Sequence, residues 1–416
     1  MSEIDQLFQE FPPGVRERLR EAWDALPELA RRPLTKALRE LPSDLGRWRE
    51  LMQLALSQAR LLTGDKRRVA IVGPANVGKS TLFNQLVRNA ADRAEVSAVP
   101  GTTRRRHAAD AGLFAVVDTP GADAVGAVGE AEKEEALAAA READFLVVVF
   151  DAIQGVKRTE QELFRELQAL ERPHVVVLNK IDLVAGAAER ERVVGAAARN
   201  LGLSPEEVVP CVAKDGKYVE RVLLAVAKAE PEIVAALGAA LPEHRALLAW
   251  SATRKAGATA AAIALAPLPI LDVFPLLAVQ ATLVLGIARI YGQRVTLARA
   301  RELVVTFGLG FAGRTAFQEL SKLGGPPGWV LASAIAASTT VVIGRAAAAW
   351  FERGERAQAS ELRAESRSLA KRILEPLRRL GRRRPRREAV QQAVEATLVD
   401  PPGPSLPSPG QLTGKS

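Results

Sequence analysis

Gly73, Gly78, Lys79 and Ser80 stand in the order Gly-x-x-x-x-Gly-Lys-Ser, directly after the apolar run Val69–Val72 and ahead of a helical continuation from Thr81. That spacing suits one task, the holding of a polyphosphate. Glycines at 73 and 78 let the backbone curl so that successive N–H groups face one anion, and a helix N-terminus adds partial positive charge. In such a loop Lys79 lies along the β- and γ-phosphates and the Ser80 hydroxyl ligates Mg2+, while Asn76, Val77 and Thr81 complete the cradle. Strand, glycine-rich turn and helix in that order separate a phosphate-binding loop from a chance glycine turn.

Elements of a definite kind must position these groups. Short apolar runs at Val69–Val72, Leu113–Val117, Phe145–Phe150, His174–Leu178 and Val208–Val212 alternate with amphipathic stretches, which predicts an α/β domain with a mainly parallel sheet. Ligands of such sheets collect beyond the carboxyl ends of the strands, and the remaining motifs fall there. Asp118-Thr-Pro-Gly121 follows the second run: the carboxylate of Asp118 can hold Mg2+, directly or through water, and Gly121 can offer its N–H to a γ-phosphate. Asn179-Lys-Ile-Asp182 follows the fourth run. The Asp182 carboxylate can accept both N–H groups of a guanine edge, Asn179 can bond the opposite edge, and the Lys180 stem can cover the base plane. After the fifth run, Ala213 offers a backbone N–H and Lys214 a second aliphatic stem.

On these residues, 66–230 resembles a GTPase domain of the Era-like group (Era, EngA and TrmE relatives). Gly73–Ser80 matches the phosphate loop, Pro100-Gly-Thr-Thr-Arg104 is similar to the first switch, Asp118–Gly121 opens the second, and Asn179–Asp182 is the guanine box. Val212-Ala-Lys214 stands where that group often has Ser-Ala-Lys, a mild departure because the implied contact is backbone. The resemblance implies GTP and GDP as ligands, with Thr103 as a second hydroxyl ligand of Mg2+ beside Ser80 and Asp118, and Lys79, Thr103, Asp118 and Gly121 around the reacting phosphate. Ala122 occupies the place where Ras-type enzymes carry a water-orienting glutamine, so hydrolysis is expected to be slow. Asn76 matches the asparagine with which potassium-activated members help hold K+, so faster turnover in K+ than in Na+ is the matching expectation; a purely local role for Asn76 is the alternative. The glycine-rich stretch after Gly121, turning helical towards residue 140, suits a segment that orders on contact with a γ-phosphate. Arg104, Arg105 and Arg106 read as a solvated strand edge.

With 416 residues the chain is long enough for two or three domains. One cysteine, Cys211, excludes an intramolecular disulfide framework; it sits in an apolar run and is expected to be a buried small residue. The N-terminus lacks a basic stretch followed by an apolar core, so no secretory signal is expected. Residues 1–65 read as packing helices.

After Pro242 the composition changes. The 33 residues from Ala256 to Ala288 hold one charge, Asp272, and a second uncharged stretch runs from Leu323 to Gly344. Pro267, Pro269 and Pro275 interrupt the first, leaving halves short of the ~20 apolar residues of a membrane span, so a re-entrant or buried helical hairpin suits it better. Flanking Arg254, Lys255, Arg289, Lys322 and Arg345 fit cytoplasmic flanks. Membrane association of residues 256–344 and a buried all-α core are both open readings here. Pro267–Asp272, Ala278-Val-Gln280, Ile290-Tyr-Gly292, Ser338-Thr-Thr340 and Gly344 are similar to an unknown-function domain of YcjF-like bacterial inner-membrane proteins, also found behind Era-like domains; it implies no activity.

The net charge of +9 resides in one segment: residues 353–387 carry 13 Lys/Arg against 4 Asp/Glu, and the rest of the chain is balanced. Phosphate-rich partners follow, anionic lipid or RNA. No aromatics interleave the arginines for base stacking, which favours lipid; a solvated helix face is the plain alternative. Residues 400–416, rich in Pro, Gly and Ser, read as disordered. The expected organisation is a helical extension (1–65), a P-loop GTPase domain (66–230), an apolar α-helical domain (231–353), a basic helical segment (354–399) and a tail (400–416). The expected role is a bacterial GTP-driven switch on an attached helical domain at the cytoplasmic face of the inner membrane, with dimerisation through the switches left open. A ribosome- or RNA-associated assembly factor and a GTP-gated scaffold with negligible hydrolysis are the competing readings.

Overall fold

The protein is described by a computed structural model covering residues 20, 68–86, 107–109, 114–119, 134, 137–265, 273–293, 295, 328–354, 359–381 and 385–398. Thr103, Gly121, Arg104–Arg106, most of the glycine-rich stretch, the tail, and the N-terminal preface apart from the helical Arg20 lie outside the described residues. The described residues fall into two compact units, one within Thr63–Ser251 together with Arg289–Gly292, the other formed from Ala252–Ala288 and from Gln293 onward.

The first unit is built on six strands: β1 (Val69–Pro74), β2 (His107–Ala109), β3 (Phe114–Thr119), β4 (Phe145–Asp151), β5 (His174–Asn179) and β6 (Val208–Pro210). Their order is β2-β3-β1-β4-β5-β6, parallel throughout except for β2, which runs antiparallel to β3. The five apolar runs all form strands. β2 carries no apolar run of its own, only His107-Ala-Ala109, and periodicity cannot reveal it. The neighbours of β1 are β3 and β4, reached in opposite directions, so the chain reverses its winding at the carboxyl end of β1. That switch point is where open α/β sheets form their ligand crevice.

Burial of β1 and β4 along their whole length explains their continuous apolar sequences. One sheet face packs on α2 (Arg158–Gln168) and α3 (Ala187–Leu201) through Val148, Phe150, Phe164, Leu167, Val176 and Ala198. Phe83 of α1 (Lys79–Leu86) meets Phe114 edge-to-face at 6.2 Å between ring centres. Helices α4 (Val219–Ala229) and α5 (Val234–Ala240) follow β6. Cys211 is fully buried, and desolvation pushes its thiol up to about 12, so it is an inert core residue as expected.

The remaining helices are α6 (Arg245–Ala264), α7 (Val273–Ile290), α8 (Gly328–Arg353), α9 (Ala359–Arg379) and α10 (Arg387–Thr397); the second unit, which takes α6 from Ala252 and α7 as far as Ala288, is all-α among the described residues. Within the apolar stretch from Ala256, α6 ends at Ala264 and α7 begins at Val273; Pro267 and Pro269 lie outside the described residues, and Pro275 sits in the first turn of α7, where proline is tolerated. Small residues set the helix contacts. A Cβ on Gly344 of α8 would stand 2.5 Å from Thr253 Oγ1 of α6 and 3.0 Å from Leu283 of α7, so the three helices converge there. Two buried polar side chains of the unit find partners within it: Ser333 Oγ donates to the Ala261 carbonyl at 2.9 Å, and Gln280 Nε2 donates to Thr340 Oγ1 at 3.3 Å. Arg345 of α8 pairs with Glu365 of α9, and burial lowers the pKa of the Arg345 guanidinium.

Among the described residues one helix, α8, is long and apolar enough to cross a membrane, and 78% of its most apolar window is buried inside the protein. The basic segment is not a free helix either. α9 buries Leu362, Leu369, Ile373, Leu374 and Leu377, while Arg367, Lys371, Arg372 and Arg379 are exposed. Its apolar face is buried, and these four cations are on its exposed side.

Candidate functional site

The phosphate loop, residues 73–80, leaves β1 as Gly73-Pro74 and enters α1 at Lys79. Gly73 has φ +154°, and a Cβ there would lie 2.2 Å from the Val149 carbonyl oxygen of β4; only glycine fits so close to the neighbouring strand. Gly78 has φ +96°, and a Cβ there would meet Asn179 Nδ2 at 2.3 Å. Lys79 is 3% exposed, and its ammonium donates to the carbonyls of Gly73 at 2.7 Å and Pro74 at 2.5 Å. The cation is therefore held inside the loop by two of its backbone carbonyls. Val77 is buried, Ser80 and Thr81 are half-buried on the first turn of α1, and Asn76 is exposed with φ +63°.

The second motif arrives by register. In the parallel pairing of β1 with β3, Asp118 is the partner of Gly73 and Thr119 of Pro74. Asp118 thus enters the site beside the loop at the carboxyl end of the sheet. Mg2+ fits this arrangement: a hydroxyl on the first helical turn and a carboxylate-bearing strand end flank a loop whose amides suit phosphate, the donor set of a metal shared with a nucleotide. Among the described residues there is no group of three or more His, Cys, Asp or Glu that could hold a metal ion.

The base-side motifs end β5 and β6. Asn179 is 3% exposed; its Nδ2 donates to the Val77 carbonyl at 2.8 Å and its Oδ1 accepts the Ala213 N–H at 2.9 Å. The sequence reading assigned Asn179 to a base edge and the Ala213 N–H to the nucleotide; the structure pairs them with each other. A buried amide satisfies backbone groups first, because an orphaned buried N–H or C=O is costly. Asn179 is a brace that ties the phosphate loop to the loop after β6. The backbone adds to it, with Cys211 N–H donating to Leu178 at 2.9 Å and Ile181 N–H to Cys211 at 3.3 Å.

Asp182 lies exposed in the 3-10 turn Ile181–Leu183, open to a ligand. Lys180 has φ +63°, and its Nζ reaches back to the Asn76 carbonyl at 2.7 Å, so the stem crosses the phosphate loop. Lys214 is exposed, and its carbonyl accepts from Gln85 Nε2 of α1 at 3.2 Å. Two residues at the site escaped the motif reading. Gln85 carries no signal in sequence. Asp151 does carry one, since it ends a strand just as Asp118 does.

Residues 68–180 match the family described as "50S ribosome-binding GTPase", and residues 245–379 match a "Domain of unknown function (DUF697)". GTPase Der of Psychrobacter arcticus is 37% identical over 163 residues, 37% of this chain and 32% of that protein. GTPase Der of Xanthomonas campestris is 44% identical over 121 residues, 27% of this chain and 25% of that protein. The chain thus spans about a third or less of the length of these curated relatives. Among solved structures, Aquifex aeolicus Era bound to GDP.AlF4- shares 29% identity with a TM-score of 0.34, covering 39% of this chain and 56% of that one. Era in complex with MgGDPNP and a segment of 16S ribosomal RNA shares 24% identity with a TM-score of 0.33, covering 46% and 67%.

Proposed function

We propose that this chain, in which a GTPase domain of the Der and Era type precedes a helical domain of unknown function, binds GTP and hydrolyses it slowly to GDP and phosphate as a switch on the helical domain. The observation that carries the reading is Asn179, whose single amide joins the phosphate loop at Val77 to the loop after β6 at Ala213. One ligand that places phosphates in the first and a base at the second would bridge both.

In this reading the loop amides and Lys79 oppose the negative charge of the β- and γ-phosphates. Ser80 and Asp118, with Thr103, are the residues that would hold Mg2+, which when bound neutralises charge developing on the phosphate oxygens. A water oxygen forms a bond to the γ-phosphorus, the bond to the β–γ bridging oxygen breaks, the electron pair leaves with GDP, and the water's protons stay with the phosphate product, which shares them with solvent. Gly121 supports the γ-phosphate with its N–H. Ala122 contributes nothing that orients water, which limits the rate. Asn76 is exposed at the loop, where its side chain can share in holding K+ as a substitute for a catalytic cation.

The test is turnover of GTP and XTP by the full chain in K+ and in Na+, with Asp182→Asn alongside. GTP turnover is expected in the wild type, faster in K+, and Asp182→Asn is expected to move preference from guanine to xanthine, since an amide both donates and accepts where the carboxylate only accepts. Retained guanine preference in Asp182→Asn would remove the base assignment, and equal rates in both salts would remove K+.

The second part of the proposal concerns place. Burial of α8 and of the apolar face of α9, with cations outward, supports peripheral attachment to the cytoplasmic face of the membrane, through anionic headgroups worth ~1 kcal/mol per surface cation. Membranes from cells expressing the full chain are expected to release it with high salt. Retention through salt and alkaline carbonate would instead put residues 256–344 in the bilayer. A protein found free of membranes and co-sedimenting with ribosomal subunits would favour the RNA reading.

A further inference from the structure

Asp151 closes β4 and is almost wholly buried, at 3% exposure. Its two carboxylate oxygens do different things. Oδ1 accepts the Ile153 N–H at 2.8 Å and the Gln154 N–H at 3.4 Å, shaping the turn that leaves the strand. Oδ2 faces Lys180 Nζ at 2.7 Å. The same ammonium donates to the Asn76 carbonyl at 2.7 Å, so it is pinned between the end of β4 and the phosphate loop.

We infer that Asp151 is a positioning residue for the nucleotide site: it holds Lys180 stretched across the phosphate loop, so that the lysine stem is already in place as a wall for the base. This rests on the nucleotide reading above and adds a residue to it. The physical reason is entropic and electrostatic together. A free lysine samples many rotamers, and a ligand that needs its stem must order it on binding. Anchoring the ammonium at two points moves that ordering into folding, which tightens binding by preorganisation. The pair is unequally buried, the Lys180 side chain 32% exposed and that of Asp151 4%, so the carboxylate is fixed and the lysine is what it fixes. A charge-assisted hydrogen bond of this length is among the stronger ones available to a side chain.

Asn at 151 is nearly isosteric. It keeps an oxygen for the Ile153 N–H, but turns an N–H donor towards the ammonium. The experiment is a double-mutant cycle on the full chain, reading the GDP dissociation constant by calorimetry and the melting temperature without nucleotide. Asp151→Asn is expected to raise the dissociation constant about tenfold in the wild type. In a Lys180→Met background it is expected to change it less than about twofold, because the residue it acts through is gone. Should Lys180→Met not fold, with a buried carboxylate left unpaired, side-chain NMR of the Lys180 ammonium in the wild type and in Asp151→Asn decides instead: the ordering of the lysine is expected to be lost in Asp151→Asn, and an unchanged signal would overturn the inference. An equal loss in both backgrounds would mean that Asp151 acts only through the turn at Ile153 and would overturn the inference. So would a lowered melting temperature with unchanged GDP binding. A wild-type chain that does not bind GDP at all would bring down the nucleotide reading itself, an outcome distinct from an additive cycle.

Discussion

Asn179→Ala is expected to weaken GDP binding by a hundredfold or more and to lower the stability of the nucleotide-free protein as well. The substitution leaves two buried backbone groups, the Val77 carbonyl and the Ala213 N–H, without the partners they have at 2.8 and 2.9 Å. Each orphaned group costs about 1–3 kcal/mol, and a tenfold change in affinity needs about 1.4 kcal/mol. Part of the loss falls on folding and part on binding, because the two loops lose their common register. Calorimetric GDP titration and thermal unfolding measure the two shares. If Asn179 served only a base edge, the nucleotide-free melting temperature would stay at its wild-type value, and the brace would have to be abandoned.

Gly73→Ala carries the largest expected cost to the fold. The new methyl would lie 2.2 Å from the Val149 carbonyl oxygen, with the carbonyl carbon at 3.2 Å and the Val149 nitrogen at 3.3 Å. These are backbone atoms of β4, which is paired to β1 on one side and β5 on the other, so the obstacle cannot swing away. Overpacking in a dense interior costs about 1–3 kcal/mol where neighbours can adjust, and more where they cannot. Against a stability of about 5–15 kcal/mol for a typical domain, a largely unfolded or insoluble product is expected. Gly155→Ala is the control. Gly155 also has positive φ, +67°, but nothing lies within 4 Å of its Cβ position, so only the conformational penalty of about 1–2 kcal/mol applies. Soluble yield and circular dichroism of both variants decide the matter; equal behaviour would refute a steric role for Gly73.

The two stability arguments share a geometry with the Lys180–Asp151 pair. Three side chains reach across the carboxyl end of the sheet: Asn179 to Val77 and Ala213, Lys180 to Asn76 and Asp151, and Gln85 to the Lys214 carbonyl. All of them tie phosphate-side elements to base-side loops.

What could be read from the sequence is what local backbone chemistry decides. The glycines at 73 and 78, the lysine and serine after them, and the Asp and Asn at strand ends follow from strand-turn-helix order and from where parallel sheets bind ligands. The end of α6 at Ala264 and the start of α7 at Val273 bracket Pro267 and Pro269, as an interruption read from proline positions implies, while Pro275 falls in the first turn of α7, where proline is tolerated. Tertiary structure alone decided which polar group answers which. Asn179 and Val77 are 102 residues apart, and Lys180 and Asp151 are 29 apart; no period or spacing predicts those pairs. The short antiparallel β2 and the burial of α8 belong with them. The composition of α8 permits a membrane span or a core helix alike, and that protein covers 78% of its most apolar window is read only from the fold. Local conformation is set by each residue's own backbone. The partner of a buried donor or charge is set by whatever the fold brings within hydrogen-bonding distance, because in a water-free interior that group must be satisfied there.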